Sequence, residues 1–186
     1  MNILPLFPTA IGKVYKFITE KERLELMASI EKISHTSHGA IKGDGFSTHT
    51  KPNLCVDKSI IQRLQDAGEV YSQEYGNGPI ILVDMWSNIQ NIGSILTEHC
   101  HPTSIISGAL YINVDETCKL YFHNPNPYVH FIASKTSTSF NYQNQWIPVK
   151  NCQMILFPSW LKHGNNREVN TMNNRTVISF NTVPKQ

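Results

Sequence analysis

The sequence predicts a mainly β protein, an antiparallel sandwich or barrel with two helices ahead of it. Two patterns carry that expectation. From Ile80 onward short apolar runs alternate with turn residues, at 80–90, 104–114, 118–123, 128–134, 145–149, 152–157 and 175–183. Strands of this length and spacing suit a sandwich or barrel. Before Ile80, two segments place apolar residues at helical spacing between capping and stop signals. No repeat or low-complexity tract interrupts this layout, and residues 1–186 read as one domain, of a size that buries about 70% of its unfolded surface.

Taken in order, residues 4–17 read as a lead-in loop and a first strand, with apolar and polar residues roughly alternating from Ala10 to Phe17. Thr19 is a helix N-cap and Glu22, at the third helical position, closes a capping box; such a cap contributes about 1 kcal/mol. Leu24, Met27, Ala28 and Ile30 follow at helical spacing, and this helix is expected to end near Ser34. Residues 34–53, rich in His, Ser, Thr, Gly and Lys, read as a long exposed loop, either a lid over a substrate or a solvent-facing segment. Its histidines, His35, His38 and His49, could bind metal but are expected to face solvent. Asp57 or Ser59 caps a second helix whose apolar face is Ile60, Ile61, Leu64, Ala67, Val70 and Tyr71, and Gly76-Asn77-Gly78-Pro79 stops it.

Composition narrows the function classes. A net charge of +2 is too small to indicate nucleic acid. No apolar run approaches the ~20 residues of a membrane span, and the N-terminus shows no signal-peptide pattern. The four cysteines are scattered without a CxxC, which reads as reduced thiols in a cytoplasm.

The chemistry gathers at Glu98-His99-Cys100-His101-Pro102, just ahead of the run Ile105 to Val114. In a strand, residues i and i+2 share a face, so His99 and His101 can aim at one point; Cys100 between them could itself be a soft ligand, but it is expected to point away and pack. A third histidine, His163, follows the apolar run Met154 to Phe157, and Arg175 opens the last run. Neutral imidazoles suit a divalent transition metal and can cap one side of it; a guanidinium can fork onto a carboxylate. The plain alternatives are satisfied core histidines and a surface arginine. His123 and His130 flank a turn, and Trp86 and Trp160 read as core.

Two enzyme classes with jelly-roll folds use such a layout. Cupins resemble it in part, but a glutamate is expected three or four residues after the second histidine, where Ile105 and Ile106 stand, and Trp160 replaces a glycine of the later motif. The sequence more closely resembles the 2-oxoglutarate and Fe(II)-dependent oxygenases, and in particular a branch common in phage and bacterial genomes. The matching residues are Leu6-Phe7-Pro8-Thr9, Trp86-Ser87-Asn88, His99-Cys100-His101-Pro102, Ser107-Gly108 with Tyr111, Asn124-Pro125, Phe157-Pro158-Ser159-Trp160-Leu161-Lys162-His163, and Arg175 leading to Ser179-Phe180-Asn181.

That resemblance implies a double-stranded β-helix (jelly roll) with two N-terminal supporting helices. It implies a dioxygenase that couples hydroxylation to oxidative decarboxylation of 2-oxoglutarate. Its metal, Fe(II), would be held by His99 and His163. Arg175 would bind the far carboxylate of 2-oxoglutarate with Tyr111, and Asn88 would lie near the cosubstrate. Two positions depart from the family. His101 stands where most members carry a carboxylate, and is either a third ligand, the choice favoured here, or a neighbour of the ligands; Asp84 and Asp115 are the nearest carboxylates in sequence, and neither is at the expected place. Val177 replaces a serine that helps hold the carboxylate. The partners implied are 2-oxoglutarate and dioxygen, with neither a membrane nor nucleic acid; the primary substrate is open to a peptide, a nucleotide or a small metabolite, and the resemblance leans to a protein or peptide side chain. A cupin-like metalloenzyme not using 2-oxoglutarate and a non-catalytic jelly-roll binding protein are the alternatives.

Overall fold

The computed structural model describes residues 7–33, 35–49, 56–131, 135–138, 140–165 and 168–186. Its strands are β1 (Gly12–Val14), β2 (Ile41–Lys42), β3 (Gly45–Ser47), β4 (Ile80–Gln90), β5 (Ile95–Leu96), β6 (Ile106–Asn113), β7 (Lys119–His123), β8 (Asn144–Pro148), β9 (Met154–Pro158), β10 (His163–Gly164) and β11 (Arg175–Pro184). The helices are α1 (Glu20–Glu31) and α2 (Lys58–Tyr75). A six-stranded antiparallel sheet runs β1-β9-β6-β11-β4-β3, faced by a three-stranded sheet β10-β7-β8, with β2 and β5 paired separately. This is the expected double-stranded β-helix, or jelly roll, with two supporting helices.

The helix starts follow their sequence signals. Glu22 N donates to Thr19 Oγ1 at 3.2 Å and Thr19 N donates to Glu22 Oε2 at 2.7 Å, a reciprocal capping box. Asp57, not Ser59, caps α2, accepting from Ser59 N at 2.7 Å. Gly76 ends α2 at φ 84, the left-handed conformation that glycine enters without a Cβ clash. Helix α1 ends at Glu31; Ser34 lies outside the described residues, as does Leu6. Leu26 and Ile30 form the buried face of α1, while Leu24 is exposed; on α2, Ile60, Leu64 and Tyr71 are buried and Val70 is exposed.

The large sheet separates two environments because strand residues alternate in direction. On β6 and β11, Ile106, Leu110, Ile112, Ile178 and Phe180 face the helices, joined by Ile80, Met154 and Leu156. A Cβ on Gly108 would fall 2.1 Å from Phe180 Cζ, so the ring packs directly on the backbone there. The alternate residues Ala109, Tyr111, Ile155, Phe157 and Val177 face Leu120 and Phe122 of the small sheet.

Three expectations are corrected. The stretch 34–53 is not one exposed loop: where described, it contributes β2 and β3, with Ile41, Gly45, Ser47 and Thr48 buried. Backbone pairing of Phe46 with Ile89 makes β3 the edge of the large sheet, an arrangement that local composition does not announce. The run at 128–134 is not a strand where described; Pro127–His130 form a 3₁₀ turn started by Asn126, whose side chain accepts from Tyr128 N. Trp160 is 49% exposed and is not core.

Candidate metal centre

Strand pairing brings the three histidines together. His99 and His163 exchange backbone hydrogen bonds, N to O at 3.1 and 3.0 Å, and His101 N donates to Ser159 O at 2.8 Å. The regular strand opens only at Ile106, yet this extended pairing still sets His99 and His101 on one side. Their rings stack, with centroids 5.1 Å apart; His163 lies 4.5 Å from His99 and 5.1 Å from His101. One nitrogen of each lies within 4.8 Å of the others.

Each Nδ1 is already committed. That of His99 donates to Thr97 O (2.8 Å) and that of His163 to Leu161 O (2.9 Å). That of His101 donates to Asn181 Oδ1 at 2.6 Å, and Ser107 Oγ, 2.9 Å from the same nitrogen, donates to Asn181 Oδ1 as well. A carbonyl oxygen can only accept, so each Nδ1 carries the proton and each Nε2 keeps its lone pair. This is the arrangement in which metal-ligating histidines are oriented by a second hydrogen bond. Burial holds His99 and His101 below the usual imidazole range, and His163 well below it. The donor set therefore fits a divalent first-row metal, which needs neutral imidazole.

The trio lies in a cavity of about 500 Å³ whose wall also carries Arg175, Tyr111, Val177 and Asn88. Cross-strand register explains that wall: Val177 sits between Asn88 and Tyr111, and Arg175 pairs with Gln90. Arg175 is 5% exposed, so it is no surface arginine; its Nη1 donates to Gln90 Oε1 at 2.6 Å, and its guanidinium lies over the Tyr111 ring at 6.0 Å. Burial pushes the Tyr111 phenol upward, keeping it a neutral donor. Asn88 Nδ2 donates to Ser179 Oγ at 3.4 Å.

Other residues sort against the same cavity. Cys100 lines it but is not among the converging nitrogens. Asp84 lies exposed at the cavity wall, and Asp115 caps a turn by accepting from Thr117 N; neither joins the trio. His123 and His130 stack on each other, centroids 4.3 Å apart, outside this cavity. Trp86, expected in the core, is buried but forms cavity wall, 5.7 Å from His101 and 4.9 Å from His49.

Sequence reasoning missed His38 and His49 as cavity residues. His38 has the opposite polarity to the trio: its Nδ1 accepts from Ala40 N at 3.2 Å, so the neutral ring carries its proton on Nε2. Sequence reasoning named Ser107 and Asn181 within motifs but gave them no role, and it missed Gln90. The period-2 rows Arg175, Val177, Ser179, Asn181 and Trp86, Asn88, Gln90 could have flagged Asn181 and Gln90.

Comparison with known proteins comes to the same place. A family model described as "Putative 2OG-Fe(II) oxygenase" matches residues 84–181. No curated protein matches. Among solved structures, HygX from Streptomyces hygroscopicus with nickel and 2-oxoglutarate bound is 11% identical, with TM-score 0.68 over 95% of this chain and 84% of that one. A Pseudomonas putida prolyl-4-hydroxylase is 11% identical, with TM-score 0.68 over 96% and 94%. A viral collagen prolyl hydroxylase from Paramecium Bursaria Chlorella virus-1 is 13% identical, with TM-score 0.59 over 94% and 96%. At such identity these likenesses establish the fold. No helix among the described residues is long and apolar enough to cross a membrane. Because the family match spans just over half of the chain, the chain belongs to the 2OG-Fe(II) oxygenase family, and so among dioxygenases that use Fe(II) and 2-oxoglutarate.

Proposed function

We propose that this chain, residues 1–186 as one domain, is a hydroxylase whose Fe(II) is held by His99, His101 and His163 and whose 2-oxoglutarate is held by Arg175 and Tyr111. The observation that carries the reading is the common tautomer of the three histidines, each Nδ1 pinned and each Nε2 left with its lone pair, on rings that bring one nitrogen each within 4.8 Å of the others. It favours His101 as a ligand over His101 as a neighbour of the ligands.

When bound, iron supplies the activation of dioxygen that is coupled to oxidation of 2-oxoglutarate and substrate. The residues supply placement. Arg175 gives the far carboxylate a forked, charge-assisted partner, worth about 1.5–3 kcal/mol. Tyr111 offers that carboxylate a neutral hydroxyl. Val177 cannot hydrogen-bond, and Asn88 and Tyr111, paired to either side of it, take over the serine's task. Phe157 and Leu120 give the cavity apolar wall that keeps water from the reacting groups.

The substrate in this reading is a protein or peptide side chain. The cavity wall with His38, His49, Trp86 and Asp84 offers aromatic and polar contacts to an extended chain, and two neighbours of like fold are named as prolyl hydroxylases. The free thiols of Cys100, Cys118 and Cys152 support a cytoplasmic setting.

The test is an anaerobic titration of the metal-free protein with Fe(II) and then 2-oxoglutarate, following the visible charge-transfer absorption of the chelated 2-oxo acid. The band is expected in the wild type, weakened in Arg175→Ala and absent in His99→Ala. Iron binding with no band would instead mean a cupin-like centre that does not take 2-oxoglutarate. Incubation in air with a peptide mixture and mass analysis then tests the substrate class, one added oxygen atom being the expected product.

A further inference from the structure

Arg175 is a buried cation whose hydrogen-bond partner, among the described residues, is neutral. Gln90, 0% exposed, accepts from its Nη1 at 2.6 Å. No ion pair joins Arg175 to a carboxylate among the described residues. A guanidinium taken out of water with no anion beside it is costly. Glutamate has nearly the shape of glutamine, and the pairing of Gln90 with Arg175 across β4 and β11 would already set such a carboxylate in place. The fold forgoes that stabilising pair.

The surroundings hold Gln90 in the orientation that does this. Its Nε2 donates to Ser94 Oγ at 3.5 Å, while Ser94 Oγ spends its own proton on Asn91 O at 2.6 Å. Ser94 therefore accepts from position 90, which turns Gln90 Oε1 toward the arginine. Asn170 Nδ2 donates to the backbone oxygens of Gln90 and Asn91 at 3.2 and 2.9 Å and fixes the end of β4. A hydrogen-bonded amide holds the guanidinium still without cancelling its charge.

We propose that Gln90 is a positioning residue that keeps Arg175 aimed and unneutralised, so that the cavity selects a 2-oxo acid bearing a second, distant carboxylate. This rests on the reading of Arg175 as the seat of that carboxylate. Selection follows from charge: the arginine's desolvation is compensated only when the dianion arrives, and a mono-acid gains nothing from it.

The test uses the full chain with Fe(II) under anaerobic conditions, titrated with 2-oxoglutarate and with 2-oxobutyrate, which lacks the far carboxylate. Gln90→Glu is expected to weaken 2-oxoglutarate binding by roughly tenfold to a hundredfold while 2-oxobutyrate stays within about twofold. Thermal stability should hold or rise, because an internal ion pair forms. Gln90→Met, which drops the hydrogen bond and adds no charge, should reduce the preference by a smaller factor. Equal weakening of both acids in Gln90→Glu, or an unchanged preference, overturns the role of Gln90; if that variant does not fold, an unchanged preference in Gln90→Met overturns it. Arg175→Ala separates the two levels. A preference lost there but kept in Gln90→Glu sinks only the role of Gln90, whereas a preference kept in Arg175→Ala sinks the reading of Arg175 beneath it.

Discussion

The two faces of the large sheet are made by the same strands and do opposite work. Toward the helices, β6 and β11 present Ile106, Leu110, Ile112, Ile178 and Phe180, all 0% exposed and packed in one apolar cluster with residues of α1, α2 and the adjacent strands. Toward the cavity, the intervening residues include Tyr111, Arg175, Ser179 and Asn181, which carry hydroxyls, an amide and a guanidinium, beside the apolar Ala109 and Val177. One residue of offset separates a stabilising surface from a binding surface. Polar groups can be buried on the second face where they find hydrogen-bond partners, and Ala109, Tyr111 and Val177 of that face pack with Leu120, Phe122 and Phe157.

Changes confined to one face should therefore leave the other's property intact. The largest effect is expected from Phe180→Ala, which empties a site on the helix face against Gly108: a loss of about 3–5 kcal/mol in denaturant unfolding, with Fe(II) affinity of the folded protein unchanged. A loss of metal affinity matching the loss of stability would show that the faces are coupled.

Next comes the collective titration of the cavity face. Burial holds His38, His99, His101 and His163 below their usual range. Unfolding frees them to bind protons at about 6.5. Below that pH the unfolded chain takes up protons that the folded chain refuses, so stability of the metal-free protein should fall as pH drops below ~6.5 and be flat with respect to these groups above it. Thermal melts from pH 8 to pH 5 measure this, and His163→Ala should flatten the slope; a slope unchanged in that variant would move its cause off this face.

A smaller and more local effect is expected from Asn181→Leu. It removes the acceptor that orients His101 and should cost roughly tenfold in Fe(II) affinity, read by competition with a chelator. An affinity left intact would make His101 a bystander rather than a ligand. The smallest change sharpens the contrast from outside both faces: Trp160→Ala, at a half-exposed position, should stay within about 0.5 kcal/mol in unfolding.

Much of this was legible in the chain because its signals are local. Thr19 and Glu22 sit three apart, Gly76 follows its helix directly, and β4, β6, β7, β9 and β11 appear as apolar runs within a few residues of their bounds. His99, His101, His163 and Arg175 were legible through motif and alternation. The partners that make them a site were not: Asn181 lies 80 residues from His101 and Gln90 85 from Arg175. A polar loop and a polar cavity wall have the same composition, so composition alone does not place His38 and His49 on the cavity wall. Nor does it separate Trp86, on that wall, from Trp160, half-exposed at the surface.

By itself the sequence determined which segments could be strands or helices, where the helices begin, and which residue types were available for metal and carboxylate chemistry. Those properties follow from backbone propensity, capping and periodicity over a few residues. Tertiary structure alone decided which nitrogen of each imidazole keeps its lone pair, and that Arg175 is buried beside an amide rather than an acid. Both depend on hydrogen bonds between strands distant in the chain, and strand register, set only when the two sheets close on each other, chooses those partners.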